Sequence, residues 1–218
     1  MVRTPQLALL IFAAVCCARL PAQTHATNPP ASTAAAPASS WDFDASVSGY
    51  VVPRGQSYVS PTFTADHDTL HLEARYNYEA QRTGSLWAGY NLSVGKKVVL
   101  EFTPMIGGVF GKVDGVAPGL EFTGTYKKLQ LFSANEYIFS TSAKADNFFY
   151  TWTQITYSPL KWLTVGYVMQ RTRAYTTPLD IQRGFLVEFA RQKLTFTTQV
   201  FNVGQADPTV DLTLGYSF

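Results

Sequence analysis

The chain has 218 residues, 15% of them charged, with 17 basic side chains against 15 acidic ones and a formal net charge of +2. So even a balance leaves no basic footprint for nucleic acid. The two cysteines, Cys16 and Cys17, are neighbours near the N-terminus, so the rest of the chain can build neither a disulfide framework nor a cysteine-based metal or nucleophile site.

Arg3 precedes an apolar run from Leu7 to Cys17, followed by small residues with Ala18, Ala22 and Ala26 as cleavage candidates. The run is shorter than the ~20 residues a helix needs to span a bilayer. Residues 1–22 therefore read as a secretory signal peptide, with a short N-terminal anchor as the alternative. Ala13-Ala14-Val15 before Cys16 is a poor match to a lipoprotein acylation box. A cleaved leader would take both cysteines, Arg3 and Arg19 with it, leaving fifteen basic residues against fifteen acidic ones. Residues 23–40 are almost entirely Ala, Thr, Pro, Ser and Asn, a composition that cannot bury a core and reads as a disordered tail. The folded unit is expected over 41–218, rich in Tyr, Phe, Thr and Val and without a 3.6-residue apolar pattern long enough for a helix.

Within that unit apolar and polar residues alternate with a period of two. In 70–79, Leu70, Leu72, Ala74, Tyr76 and Tyr78 share one face, and His71, Glu73, Arg75, Asn77 and Glu79 share the other. In 85–94, Leu86, Ala88, Tyr90, Leu92 and Val94 oppose Ser85, Trp87, Gly89, Asn91 and Ser93. Similar splits occur at Val98/Leu100/Phe102, Leu163/Val165/Tyr167/Met169 and Leu194/Phe196/Val200, whereas 147–157 and 181–190 leave their facing open. Strands are read near 42–52, 57–65, 70–79, 85–94, 97–107, 118–126, 129–140, 147–157, 162–172, 181–190, 193–202 and 209–218. Pro61, inside the second segment, would remove a ladder bond, so ten strands stand beside twelve as a reading.

The last segment reads V-D-L-T-L-G-Y-S-F, with Val210, Leu212, Leu214, Tyr216 and Phe218 on one face and Gly215 among the polar positions. An amphipathic strand closing on Tyr216 and Phe218 resembles the assembly signal of bacterial outer-membrane β-barrel proteins. The resemblance implies an all-β, antiparallel, transmembrane up-and-down barrel of about twelve strands. It also implies contact with outer-membrane lipids, periplasmic chaperones and the barrel-assembly machinery. A soluble, lipocalin-like barrel shows the same alternation. The leader, Phe218, and Trp41, Tyr78, Tyr137, Tyr157, Trp162 and Tyr216 at segment ends, as in aromatic girdles, favour the membrane.

With the last strand running inward, periplasmic turns fall at 66–69, 95–96, 127–128, 158–161 and 191–192, and external loops at 53–56, 80–84, 108–117, 141–146, 173–180 and 203–208. The inner turns carry Lys96, Lys97, Lys127, Lys128, Lys161, Arg191 and Lys193, read as ordinary solvated turns or as contacts to anionic headgroups. The lumen would be lined by Glu73, Glu101, Glu121, Glu136, Glu188 and Asp211, with Asp42, Asp44 and Glu79 as further acids, against Arg75, Arg171 and Arg183. Such a lumen favours cations if open. Alternatively its charges pair across strands, as Glu73 and Arg75 suggest, while Trp87 and Phe201 fill the bore. A narrow porin-like channel or a structural surface barrel is therefore expected, with no cofactor and an unspecified solute. Tyr150, Trp152, Arg171, Arg173 and Tyr175 form a candidate patch at the outer mouth.

A barrel enzyme acting on lipids is the alternative, and it needs a histidine base. His25 lies in the leader or tail, and His67 and His71 fall at the periplasmic end. Asp66, His67 and Asp68 are consecutive and cannot all converge on one metal ion. The stretch Gly107 to Lys112 lacks the Ser or Thr of a phosphate loop and is read as a hairpin.

Overall fold

A computed structural model describes residues 40–53, 55–142, 147–174, 180–205 and 207–218, with the side chains of 173 and 174 left aside. The expected signal peptide, nearly all of the expected tail, and Tyr175 lie outside these residues. So do parts of four of the expected loops. The described chain is all β: β1 (Asp42–Val51), β2 (Tyr58–His67), β3 (Leu70–Tyr76), β4 (Thr83–Tyr90), β5 (Leu92–Val94), β6 (Val99–Gly111), β7 (Gly115–Tyr126), β8 (Leu129–Ser140), β9 (Phe148–Leu160), β10 (Leu163–Ala174), β11 (Asp180–Arg191), β12 (Leu194–Phe201) and β13 (Thr209–Ser217).

Each strand pairs antiparallel with its neighbours. The first and last are joined from Asp44↔Ser217 to Val51↔Val210, which closes the sheet into a barrel. The Phe218 amide extends this seam by donating to the Phe43 carbonyl at 2.8 Å. The thirteen strands make twelve spans, because β4 and β5 are two parts of one. Gly89 faces Met105 and Leu92 faces Phe102 in one continuous register along β6. Pro104 falls opposite Tyr90 in that register and has no N–H to donate, so the ladder is interrupted there.

Pro61 is accommodated within a strand rather than ending one. Pairing of β2 with β1 runs through Val47↔Pro61, while pairing with β3 stops at Thr62↔Arg75. The missing donor is tolerated where β3 has left the sheet, and the Asn77 side-chain amide donates to the Val59 carbonyl at 2.8 Å. The count is therefore twelve, not ten.

Alternation now has an inside and an outside. Leu70, Leu72 and Tyr76 are exposed while His71, Glu73 and Arg75 between them are buried. Leu86 is 60% exposed, and Ile106 and Phe185 are 61% exposed. An apolar face this extensive, turned outward around a barrel, is suited to hydrocarbon and not to water. Connections at one end are tight: His67↔Leu70, Tyr126↔Leu129 and Arg191↔Leu194 close two-residue turns. Asp68, Lys127 and Gln192 take left-handed φ values in them. This turn end also holds the start of β1 and the end of β13, ringed by Trp41, Tyr90, Tyr126, Tyr157, Trp162, Tyr216 and Phe218, all exposed. At the opposite, loop end lie the ends of β1, β3, β6, β8, β10 and β12. Tyr78 does not join an outer girdle. It lies in the interior against Tyr150, ring centroids 5.5 Å apart.

Candidate functional site

The site is the lumen, and its inward side chains follow from strand parity. Arg75, on β3, is 5% exposed and lies at the centre of a charged cluster. Its guanidinium donates to Glu73 Oε2 at 2.5 Å on the same strand, to Glu136 Oε2 on β8 at 2.9 Å and to Glu121 Oε1 on β7 at 3.2 Å. Glu79 Oε1 is 3.7 Å away. The charge also sits 4.4 Å from the centre of the Tyr78 ring and 4.9 Å from that of Trp87. One cation thus bridges β3 to β7 and β8 through the interior and is shared by four carboxylates. Such pairs hold strands in register while leaving the surroundings negative.

Three further contacts carry the polar chain toward the turn end. His71 Nδ1 is 2.8 Å from Asp66 Oδ1, and the Asn91 side-chain amide donates to the same oxygen at 2.6 Å. His71 Nε2 faces Glu73 Oε2 at 3.7 Å. An Asp–His pair is present, but its free nitrogen looks at a carboxylate and not at a Ser or Thr hydroxyl, which nucleophilic catalysis would need. Among the described residues no group of three or more His, Cys, Asp or Glu is arranged to hold a metal ion.

Toward the loop end the bore is filled. Trp87, Tyr150, Trp152, Phe201, Ile138 and Val168 are all buried and belong to one apolar cluster. Trp152 and Phe201 meet edge to face, centroids 5.7 Å apart. Trp87 Nε1 donates to Ser85 Oγ at 3.0 Å, and Ser85 Oγ donates to Glu79 Oε1 at 2.6 Å. The indole lies flat over Gly107, where a Cβ would come within 2.4 Å of its Cδ2. Gly107→Ala should therefore push the indole off its rotamer and cost about 1–3 kcal/mol of barrel stability. Denaturant unfolding in detergent would read it, and an unchanged midpoint would contradict this packing.

The turn-end half is open and divided into two chambers of unlike charge. The first, about 800 Å³, is lined by Thr156, Glu188, Thr197 and Gln199, with Lys127, Lys128 and Lys161 at its rim. The second, about 820 Å³, is lined by Asp44, Asp66, Asp68, Glu101, Glu121 and His71. Acids gather on one side of the bore and lysines edge the other.

Placement of the expected lumen residues divides by face. Glu73, Arg75, Glu121 and Glu136 are in the central cluster, and Glu101 and Glu188 line the chambers. Asp211, 1% exposed, points inward from β13 and accepts from Thr213 Oγ1 at 3.1 Å. Arg171 and Arg183 are not in the lumen. Arg171 is in register with Thr151, and Arg183 with Met169. These share the parity of exposed Ile155, Tyr167 and Phe185, so both arginines stand on the outer wall. The patch expected at the outer mouth is also split. Tyr150 and Trp152 fill the bore, Arg171 is outside, and the Arg173 and Tyr175 side chains are not among those described. Of the expected assembly residues, Leu212, Leu214 and Tyr216 face outward, Gly215 faces in, and Phe218 is 61% exposed beyond β13.

Parity could have found what residue charge missed. Leu163, Val165, Tyr167 and Met169 lie on the apolar face of β10, and Arg171 is the next residue on it.

No family model matches the chain, and no curated protein matches it. Among solved structures, the KdgM porin is similar over 80% of this chain and 99% of its own, at 16% identity with a TM-score of 0.59. The chain has the fold of an outer-membrane porin. The KdgM porin in complex with disordered oligogalacturonate matches equally well, at 14% identity and a TM-score of 0.59 over 80% of this chain and 99% of that one. A chain solved in work on in-meso crystallization of membrane proteins matches at 12% identity and a TM-score of 0.55, covering 81% of this chain and 83% of its own. At these identities the likeness is one of architecture, and the porin-type wall is what the chain shares.

Proposed function

We propose that this porin-fold chain works in the bacterial outer membrane as a narrow channel for small cations or cationic solutes, with its turn end in the periplasm. The observation that carries the reading is the inward face. With Arg171 and Arg183 outside, Arg75 and His71 are the basic side chains buried within the described bore, against Glu73, Glu79, Glu136 and Asp211 and the half-buried Glu121. The chambers beneath add Glu101, Glu188, Asp44, Asp66 and Asp68, against Lys127, Lys128 and Lys161 at the rim of the first. A lumen lined this way attracts cations and repels anions. The oligogalacturonate carried by the similar porin is a polyanion; here it would meet like charge, so the two are proposed to share a wall and not a solute.

Liposome swelling tests the proposal. Vesicles holding the purified protein should admit a small cationic amino acid faster than an anionic one of equal size, and equal or reversed rates would overturn it. A barrel enzyme is not favoured, because the Asp66–His71 pair faces Glu73. Assembly by the periplasmic machinery is proposed from the outward Leu212, Leu214 and Tyr216 leading to Phe218. Removing Phe218 should leave the chain undelivered in the periplasm, and normal yields in the outer-membrane fraction would count against that signal.

A further inference from the structure

The outer wall carries a polar field that the channel does not use. Two register rows cross β8 to β11 on the membrane-facing side. One runs Ser133–Thr153–Met169–Arg183 and the other Asn135–Thr151–Arg171–Ile181. The small polar groups satisfy one another: Thr151 Oγ1 donates to Asn135 Oδ1 at 2.5 Å, Asn135 Nδ2 donates to Ser133 Oγ at 3.0 Å, and Ser133 and Thr153 hydroxyls are 3.1 Å apart. The arginines are different. Among the described residues neither is ion-paired with a carboxylate, and Arg171 Nε is covered by protein without a hydrogen-bond partner. They are diagonal neighbours on adjacent strands, a separation of about 7–8 Å between their attachment points.

Height along the wall decides what they meet. Arg171 is eight residues above Leu163, and Arg183 eight above Arg191, where each strand leaves the turn end. At about 3.3 Å per residue and a tilt of about 40°, this places both about 20 Å up an apolar band about 25 Å tall. Their long side chains can then reach the outer headgroup layer while their stems stay in hydrocarbon.

A groove of about 230 Å³ lies beside Arg183 on the same wall. It is lined by Arg183, Asn202 and Gln205 together with Ile181 and Val203 toward the loop end, and by Tyr167 and Phe185 lower down. A guanidinium and two amides at the top, set among apolar side chains and with aromatic rings below, match an amphiphile, its anionic head uppermost and its chain descending. We propose that Arg171, Arg183 and this groove bind the phosphate-bearing head of a glycolipid of the outer leaflet. Paired guanidinium groups suit phosphate oxygens, which accept two parallel hydrogen bonds from one fork. The proposal rests on the membrane orientation given above and not on conduction through the lumen.

The test uses the full-length protein, purified in detergent, and bisphosphorylated lipid A as probe, with native mass spectrometry counting bound lipid. Wild type should retain the probe and bind its dephosphorylated form at least tenfold more weakly. R171Q/R183Q should lose at least tenfold in retention, R171K/R183K should restore part of it, and both should keep the wild-type conductance and heat-modifiable gel mobility. Equal retention by R171Q/R183Q, or equal retention of the dephosphorylated probe, would overturn the proposal. A concentration-dependent dimer that R171Q/R183Q abolishes without changing lipid retention would also overturn it, by assigning the wall to a second copy. Loss of conductance in wild type would strike the channel reading alone.

Discussion

Arg75→Met should destabilise the barrel by about 3–5 kcal/mol, the range for removing one partner from a buried charged group. The arginine side chain is 1% exposed, and without it Glu73, Glu121, Glu136 and Glu79 face one another across the bore. Each acid keeps its desolvation cost and loses the charge that offset it. The loss should appear as a lower denaturant midpoint in detergent and a lower temperature for the heat-modifiable gel shift. Adding Glu73→Gln and Glu136→Gln should recover much of it by removing the unpaired charges. A single variant as stable as wild type, or no recovery in the triple variant, would show that Arg75 does not hold the strands together.

The second large effect concerns the loop-end half of the lumen. Trp152 and Phe201 are 6% and 0% exposed and pack edge to face across the bore. Truncating both to alanine removes ring volume that the stiff barrel wall cannot close over, so water should enter. W152A/F201A should conduct several-fold more than wild type in a planar bilayer, with a melting point lowered by lost packing. An unchanged conductance would place the constriction elsewhere.

Much of the wall was legible because lipid and lumen impose opposite demands on alternate residues. Where the inward face is charged, as in Leu70–Tyr76, the alternation in the sequence is clean and the facing follows from it. It fails in β9, where Phe148, Tyr150 and Trp152 fill the bore while Phe149, Thr151 and Thr153 face outward. Aromatic and Thr residues then occupy both faces, and hydropathy no longer separates them. Register with β8 supplies the missing information, and register is a property of the sheet. Tyr78 misleads for a related reason: an aromatic at a strand end suits a girdle, but this one stacks against a guanidinium that the sequence places only three residues away.

The two arginines teach the converse. Reading charge as lumen put Arg171 and Arg183 inside, whereas parity along β10 and register with β11 put them on the wall. Charged residues near the outer end of a span need not face the bore, because a long side chain can reach the headgroups. The correction leaves the lumen more acidic than the sequence alone implied. It also separates the two surfaces chemically, with carboxylates inside and two arginines outside that pair with no carboxylate among the described residues.

A narrow, cation-favouring path through this acidic bore, past the Trp152–Phe201 constriction, is what makes the chain a channel. It is tested most directly by the reversal potential of single channels in a planar bilayer under a tenfold KCl gradient. Openings should be discrete and reverse at a voltage of the sign set by potassium, with the shift reduced in Glu101→Gln/Glu188→Gln. A membrane that stays silent, or openings that reverse with the sign set by chloride, would contradict it.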